Sequence, residues 1–250
     1  MNVNFKSSVG QGKSLFFGKS NDGKKTLFKK KPPVVSPVPT ENLLVRFNAD
    51  SGITQSNGFI TSWTDQQNGV VANAFNGPTL LSNELNGRNA VSFDGVNDYL
   101  TFTLQSTLLS NQNRTIIIIG KYTNPTTRTQ NGMLNSLSPS ADRAYIFHSS
   151  NTSNAYYYAN GLQYGPQPFT PNAYMIQCIV HRAGFGGTFL RINGNQLNSN
   201  IGPATDIDSF IIGGRTTDSE RFLGTIVEIL IYNRELTFQE ILKVEAYANV

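Results

Sequence analysis

An all-β protein is predicted, a two-sheet antiparallel sandwich with one short C-terminal helix and an extended N-terminal arm, and three observations predict it. Short apolar or alternating runs recur from residue 43 onward between Gly, Asn, Pro and Ser punctuation, which is the pattern of a sandwich or barrel. The composition is turn-rich, with 22 Gly and only 14% charged residues, which argues against a helical bundle. The length of 250 residues suits one β domain of about 200 residues plus a tail.

The arm comes first in the chain. Eight of the ten lysines (Lys6, Lys13, Lys19, Lys24, Lys25, Lys29, Lys30 and Lys31) fall in the first 31 residues against one acid, Asp22, so this segment carries +7 of a whole-chain charge of +4. The high pI belongs to the arm, and the remainder is weakly acidic. Gly12-Lys13-Ser14-Leu15-Phe16 and Gly23-Lys24-Lys25-Thr26-Leu27-Phe28 repeat a Gly-Lys-x-(x)-Leu-Phe unit. A purely solvating tail has no use for Phe5, Leu15, Phe16, Phe17, Leu27 and Phe28, each worth about 1.5–3 kcal/mol when buried. Together with Lys13, Lys24 and Lys30 they are expected to anchor the arm to a partner surface. The arm contains no Arg, whereas nucleic-acid-binding arms favour it, so the expected partner is protein rather than nucleic acid. Pro32, Pro33, Pro37 and Pro39 make a stiff connector. The domains are therefore read as 1–31 arm, 32–40 linker and 41–250 sandwich.

Ten strand-like runs follow, at 43–47, 90–93, 99–104, 115–119, 143–147, 155–158, 174–181, 188–192, 210–212 and 222–232. In the last, Leu223, Thr225, Val227, Ile229 and Ile231 alternate with Gly224, Ile226, Glu228, Leu230 and Tyr232. At least the first set should face the inter-sheet core. Glu228, in mid-strand, needs a cationic partner or a backbone loop to cap, and Arg234 is one candidate. One helix is expected near 237–248, with Thr237 and Glu240 spaced as a capping box and Ile241, Leu242, Val244 and Tyr247 as its apolar stripe.

Four strings resemble a known family. Ala90-Val91-Ser92-Phe93-Asp94-Gly95-Val96-Asn97-Asp98-Tyr99-Leu100 looks like the "FDG-x-ND-Y" strand-turn-strand of concanavalin A-like, laminin G-like jelly-roll domains. Leu190-Arg191-Ile192-Asn193-Gly194-Asn195 resembles the family's "L-x-V-NG" hairpin. Residues 222–237 resemble its "F-x-G-x-I-x-E-x-x-IYNR-x-L-T" strand and helix start, and Trp63-Thr64-Asp65-Gln66 matches its "W-x-DQ-S-G" stretch. The resemblance spans about residues 43–249 and implies a jelly-roll sandwich. It implies little about function, because this fold hosts lectins, hydrolases, adhesion modules and structural decoration. Some relatives bind calcium, which makes Asp94, Asn97 and Asp98 candidate oxygen ligands, although three oxygens fall short of a six- to eight-oxygen site. As turn dipeptides, Asp94-Gly95 and Asn193-Gly194 suit tight hairpins between paired strands.

The search for chemistry is mostly negative, and no enzyme activity or other cofactor is expected. Glycoside hydrolases of this resemblance need an E-x-D-x-(x)-E strand, and no such string occurs. Asp206-Ile207-Asp208 is the nearest approach, with both carboxylates on one strand face. His148 and His181 lie in strand-like runs without a neighbouring nucleophile, and Cys178 reads as a buried small hydrophobe. A single Cys and two His provide neither a disulfide nor a zinc set. Trp63 reads as core. Binding is expected instead from an aromatic, amide-rich stretch. Tyr156, Tyr158, Asn160, Gln163 and Tyr164 are the candidate glycan contacts, flat rings beside hydrogen-bonding amides. Alternation sends Tyr157 to the face opposite Tyr156 and Tyr158.

Neither a signal peptide nor an apolar membrane span is read in the chain. Two functional readings remain. In the first, the chain is a structural protein of a phage or similar virion, multimeric within the particle, held to coat or other virion proteins by the arm and displaying a lectin-like head to cell-surface glycans. In the second, it is a carbohydrate-binding lectin or adhesin, extracellular or on a cell surface, with the arm as linker.

Overall fold

The computed structural model describes residues 15–19, 25–29, 37–109, 111–123, 130–137, 145–149, 154–159, 162–183, 188–199, 206–214 and 220–250. The chain divides into two compact units, Met1–Ser36 and Pro37–Val250. In the first, strands β1 (Leu15–Lys19) and β2 (Lys25–Lys29) form an antiparallel hairpin with Phe16 opposite Phe28 and Phe17 opposite Leu27. The Leu-Phe pairs that end the two copies of the repeat lie in the two paired strands. The arm is thus not extended throughout: Leu15–Lys19 pairs back on Lys25–Lys29. Phe5, Lys13, Lys24 and Lys30 lie outside the described residues.

The second unit contains β3 (Leu43–Asn48), β4 (Ile53–Ser56), β5 (Phe59–Thr64), β6 (Val71–Phe75), β7 (Thr79–Leu85), β8 (Arg88–Asp94), β9 (Tyr99–Leu108), β10 (Arg114–Tyr122), β11 (Gln130–Ser136), β12 (Tyr145–Ser149), β13 (Asn154–Ala159), β14 (Leu162–Pro168), β15 (Met175–His181), β16 (Thr188–Ile192), β17 (Asn195–Ser199), β18 (Ile207–Ile212), β19 (Leu223–Tyr232) and helix α1 (Phe238–Ala248). An eight-stranded sheet runs β17-β16-β15-β10-β19-β8-β7, with β3 also paired to β19. A nine-stranded sheet runs β14-β13-β12-β11-β18-β9-β6-β5-β4. Strand β19 is the seam of the first sheet. One of its edges pairs with β10, and the other is shared end to end by β8, along Leu223–Ile226, and β3, along Glu228–Tyr232.

Two apolar layers result. Between the sheets lie Phe47, Trp63, Phe93, Phe102, Ile116, Ile118, Phe210, Ile229 and Ile231, among others. Outside the eight-stranded sheet, Ile117, Ile119, Cys178, Val180, Leu230 and Tyr232 pack under Leu236 and the Ile241, Val244 and Ala248 face of α1. Strand β10 is buried on both sides, which is why its sequence is an unbroken Ile116–Ile119 run rather than an alternation. Cys178 and Trp63 are both buried, and the Trp63 indole N–H donates to the Asn48 carbonyl at 3.1 Å.

The alternation expected for β19 holds for only half of it. A bulge sets Ile119 opposite Glu228 but Gly120 opposite Ile226, leaving Val227 as the extra residue. Ile229 and Ile231 enter the inter-sheet core as expected, but before the bulge the phase reverses. There Ile226 is the inward residue and Val227 joins the outer layer, while the Thr225 hydroxyl donates to the Tyr174 hydroxyl at 3.0 Å. The glycine of the F-x-G string is a packing requirement. A Cβ on Gly224 would lie 2.1 Å from the Lys121 carbonyl oxygen.

Helix α1 carries the full capping box, Thr237 accepting from the Glu240 N–H and Glu240 from the Thr237 N–H. Arg234 serves this cap: its Nη1 and Nη2 donate to the Glu240 carboxylate at 2.9 and 2.7 Å, and its Nε donates to the Glu41 carbonyl at 2.9 Å. The Tyr232 hydroxyl donates to the Pro39 carbonyl, and Val38 is buried in the outer layer. These contacts move the domain boundary from Thr40 back to Pro37, because the last linker residues are part of the head.

Asn193 (φ 46°) and Gly194 (φ 85°) close the β16–β17 hairpin as their positive φ preference dictates. Asp94-Gly95 does not close one. Strand β8 belongs to the eight-stranded sheet and β9 to the nine-stranded sheet, so the turn carries the chain around a corner between layers.

Candidate functional site

The outer face of the nine-stranded sheet holds an open cavity of about 730 Å³ on β6, β9 and β18, lined by Val71 and Asn73, by Thr101, Thr103 and Thr107, and by Asp206, Asp208 and Ser209, with Leu137 at its side. Asp206 and Asp208 are exposed with Ile207 buried between them, the shared face that their spacing predicts. An irregularity in the β18–β9 pairing between Ile207 and Ser209 lets the consecutive residues Asp208 and Ser209 both line the cavity. A carboxylate only accepts, so the Ser209 hydroxyl donates to Asp208 Oδ1 at 2.8 Å. The Thr103 hydroxyl, 3.3 Å from Ser209 Oγ, must then donate to Ser209. This chain polarises toward the carboxylate and leaves the second Asp208 oxygen and the Asn73 amide for a guest. The chemistry on offer is hydrogen bonding to a polyhydroxylated or amide-bearing molecule.

The tyrosine strands lie at one end of the same sheet. Register pairs Tyr158 with Tyr145 and with Gln163, Tyr157 with Tyr164, and Tyr156 with Phe147. The candidate set is therefore divided, because Tyr164 occupies the ladder position of Tyr157 rather than that of Tyr158 and Gln163. Asn160 lies outside the described residues. Paired positions continue from Tyr145 to Asn135, Ile211, Thr101, Asn73 and Ser62. One cross-strand row thus runs from Tyr158 and Gln163 to Thr101 and Asn73 of the cavity, but Asn135 and Ile211 between them are fully buried and separate the two. Asn73, Thr101, Thr103 and Ser209 were not singled out from sequence: each is an ordinary polar strand residue, and only long-range pairing brings them together.

A laminin G-type profile of the concanavalin A-like lectin/glucanases superfamily matches residues 89–242, more than half of the chain. The chain belongs to this superfamily. No curated protein matches it in sequence. Among solved structures it is similar to the botulinum neurotoxin serotype D binding domain, at 14% identity and a TM-score of 0.62 over 83% of this chain and 52% of that one. It is also similar to Trypanosoma rangeli sialidase in complex with sialic acid, at 17% identity and a TM-score of 0.64 over 87% of this chain and 36% of that one. The chain spans about half the length of the toxin domain and about a third of the sialidase. At these identities the likeness is one of fold, and a fold found in both a binding domain and a hydrolase assigns neither activity.

In this concanavalin A-like head the Asp94–Asp98 turn is closed by its own carboxylates. Asp94 Oδ1 accepts from the N–H groups of Val96 (2.7 Å), Asn97 (3.2 Å) and Asp98 (3.5 Å), while Asp98 Oδ2 accepts from the Asp94 N–H at 3.1 Å. Burial lifts the Asp98 carboxyl to about 6, with the Asp94 N–H and Arg221 opposing. One oxygen of each carboxylate is thus engaged by backbone N–H groups, and among the described residues no three His, Cys, Asp or Glu side chains converge as a metal set.

Glu228 is fully buried, and its partners are Arg46 and Arg88 rather than Arg234. Oε1 accepts from Arg46 Nε at 2.8 Å, and Oε2 accepts from Arg88 Nη2. Tyr247 of α1 covers the pair, its hydroxyl 3.3 Å from Arg46 Nη2 and its ring 4.8 Å from the Arg88 guanidinium carbon. His181 is buried with Nδ1 3.0 Å from Thr188 Oγ1, and burial beside Arg114 lowers its imidazole to about 4. Both groups are structural. The His148 side chain is outside the described set.

Proposed function

We propose that the chain is a carbohydrate-binding protein whose head takes glycans on the open face of the nine-stranded sheet and whose N-terminal hairpin attaches it to a larger assembly, a virion coat in the reading favoured by the arm's chemistry. The observation that carries the first half is the polar cavity on β6, β9 and β18 in a lectin-like jelly roll. Small hydroxyl, amide and carboxylate groups on a sheet face are what a sugar's hydroxyls need. Binding without turnover is supported by the lack of an E-x-D-x-(x)-E string in the sequence. The likeness to a binding domain and to a sialidase with bound sialic acid accords with a sugar-handling role.

The attachment half is supported by the arm. A lone two-stranded hairpin is marginally stable in water, and this one pairs two Leu-Phe repeats within a strongly basic segment, chemistry suited to apolar pockets on an acidic protein surface.

The test screens the full chain and the Asn73→Ala and Asp208→Asn variants against a glycan array. Hits lost in both variants support the cavity; hits retained in both move the site. Deletion of residues 1–36 should leave the array profile intact and abolish co-sedimentation with assembled particles, and the intact chain's co-sedimentation should persist in moderate salt.

A further inference from the structure

The cavity's polar row ends in an unfinished aromatic stack. Two residues along β6 and β9 from the Asn73–Thr101 pair, and so on the same face about 7 Å away, Phe75 is paired with Tyr99. Their rings are stacked at 4.7 Å between centroids and 11° between planes. The Arg221 guanidinium carbon sits 4.4 Å from the centroid of the Tyr99 ring. A ring has two faces, so Tyr99 is filled on both, by Phe75 and by Arg221. Phe75 is filled on one face and remains 42% exposed. On β5, Phe59 is 51% exposed, and its ring lies against Gly77 where a side chain would collide with it. Single exposed apolar residues are ordinary. A phenyl ring whose plane is fixed by a stack and which stays 42% exposed, one same-face step along β6 from the cavity's Asn73, is a preorganised surface.

We propose that Phe75 is a sugar-stacking platform and that the molecule it serves is a neutral pyranose oligosaccharide, one ring lying on Phe75 and the next running into the cavity past Asn73 and Thr101 toward Asp208. This deepens the proposed glycan-binding role and rests on it. The apolar C–H face of a pyranose is the flat surface that completes an Arg221–Tyr99–Phe75 stack, while its rim hydroxyls meet the polar row. The exposed carboxylates of Asp206 and Asp208 stand at the far end. They disfavour an anionic sugar through like-charge repulsion and accept hydrogen bonds from a neutral one. The specified guest therefore differs from the sialic acid bound by the sialidase of similar fold.

The experiment is isothermal titration of the full chain with neutral hexasaccharides of the gluco, manno, galacto and xylo series and with sialyllactose. The variants are Phe75→Ala, Phe75→Trp and Asn73→Ala, with melting temperatures recorded for each. The expected result is that at least one neutral hexasaccharide binds more tightly than sialyllactose. Phe75→Ala weakens it about tenfold, Phe75→Trp retains or tightens it, and no variant loses its folded transition. A hexasaccharide that loses affinity in Asn73→Ala but not in Phe75→Ala overturns the platform and leaves the cavity standing. Preference for sialyllactose overturns the neutral class. Absence of binding by every saccharide overturns the cavity reading and this inference together.

Discussion

On the eight-stranded sheet the outer face buries Ile117, Ile119, Leu230 and Tyr232 beneath α1, whereas on the nine-stranded sheet it presents Asn73, Thr101, Thr103, Asp208 and Phe75 to solvent or to the cavity. On the covered face the buried Glu228 carboxylate is met by two guanidinium groups, those of Arg46 and Arg88. On the open face no apolar cover has to be matched, so its side chains can change chemistry at small thermodynamic cost. The buried apolar cover lies on one side of the sandwich and the proposed recognition face on the other.

The division is broken most sharply at Glu228. Glu228→Gln leaves two arginines without their buried countercharge and is expected to cost about 3–5 kcal/mol in urea unfolding; a loss below about 1 kcal/mol would mean that the covered face does not depend on this pair. Acid offers an intermediate effect. The folded state holds His181 neutral at a value lowered to about 4 from 6.5, so its contribution is complete above pH 6.5 and drains away as pH falls from there toward 4. Asp98, raised from 3.8 to about 6, opposes this between pH 4 and 6, so His181→Phe should turn the slope of unfolding free energy with pH in that window negative. Its persistence unchanged would transfer the titration to another group. The smallest effects belong to the open side, where Asn73→Ala and Asp208→Asn are each expected to shift stability by less than about 0.5 kcal/mol. A larger destabilisation in thermal melts would show that the cavity residues also carry the fold.

All ten strand-like runs coincide with strands, and the Thr237–Glu240 cap starts the helix where its spacing indicated, because these signals are local. Two of the strands missed carry weak local signals. β4 reads Ile-Thr-Gln-Ser and is almost wholly exposed, and β14 contains Pro166 and Pro168, tolerable because it is the sheet's edge. The phase reversal in β19 depends on a bulge set by its partner β10, and the Asp94-Gly95 corner depends on which sheet each flanking strand joins. Asp206 and Asp208 attracted attention as a pair, but their setting depends on residues more than a hundred positions away, Asn73, Thr101 and Thr103, which periodicity cannot connect to them.

Because β19 joins β10, β8 and β3, and follows every other strand in chain order, a ribosome releases the seam last. Until then β3 has no partner in its sheet, and its eventual register, Asn48 opposite Glu228, closes a loop of nearly the whole head. The sandwich therefore closes through pairings of high contact order. The interval before closure exposes the apolar β3 and β10 edges to neighbouring chains.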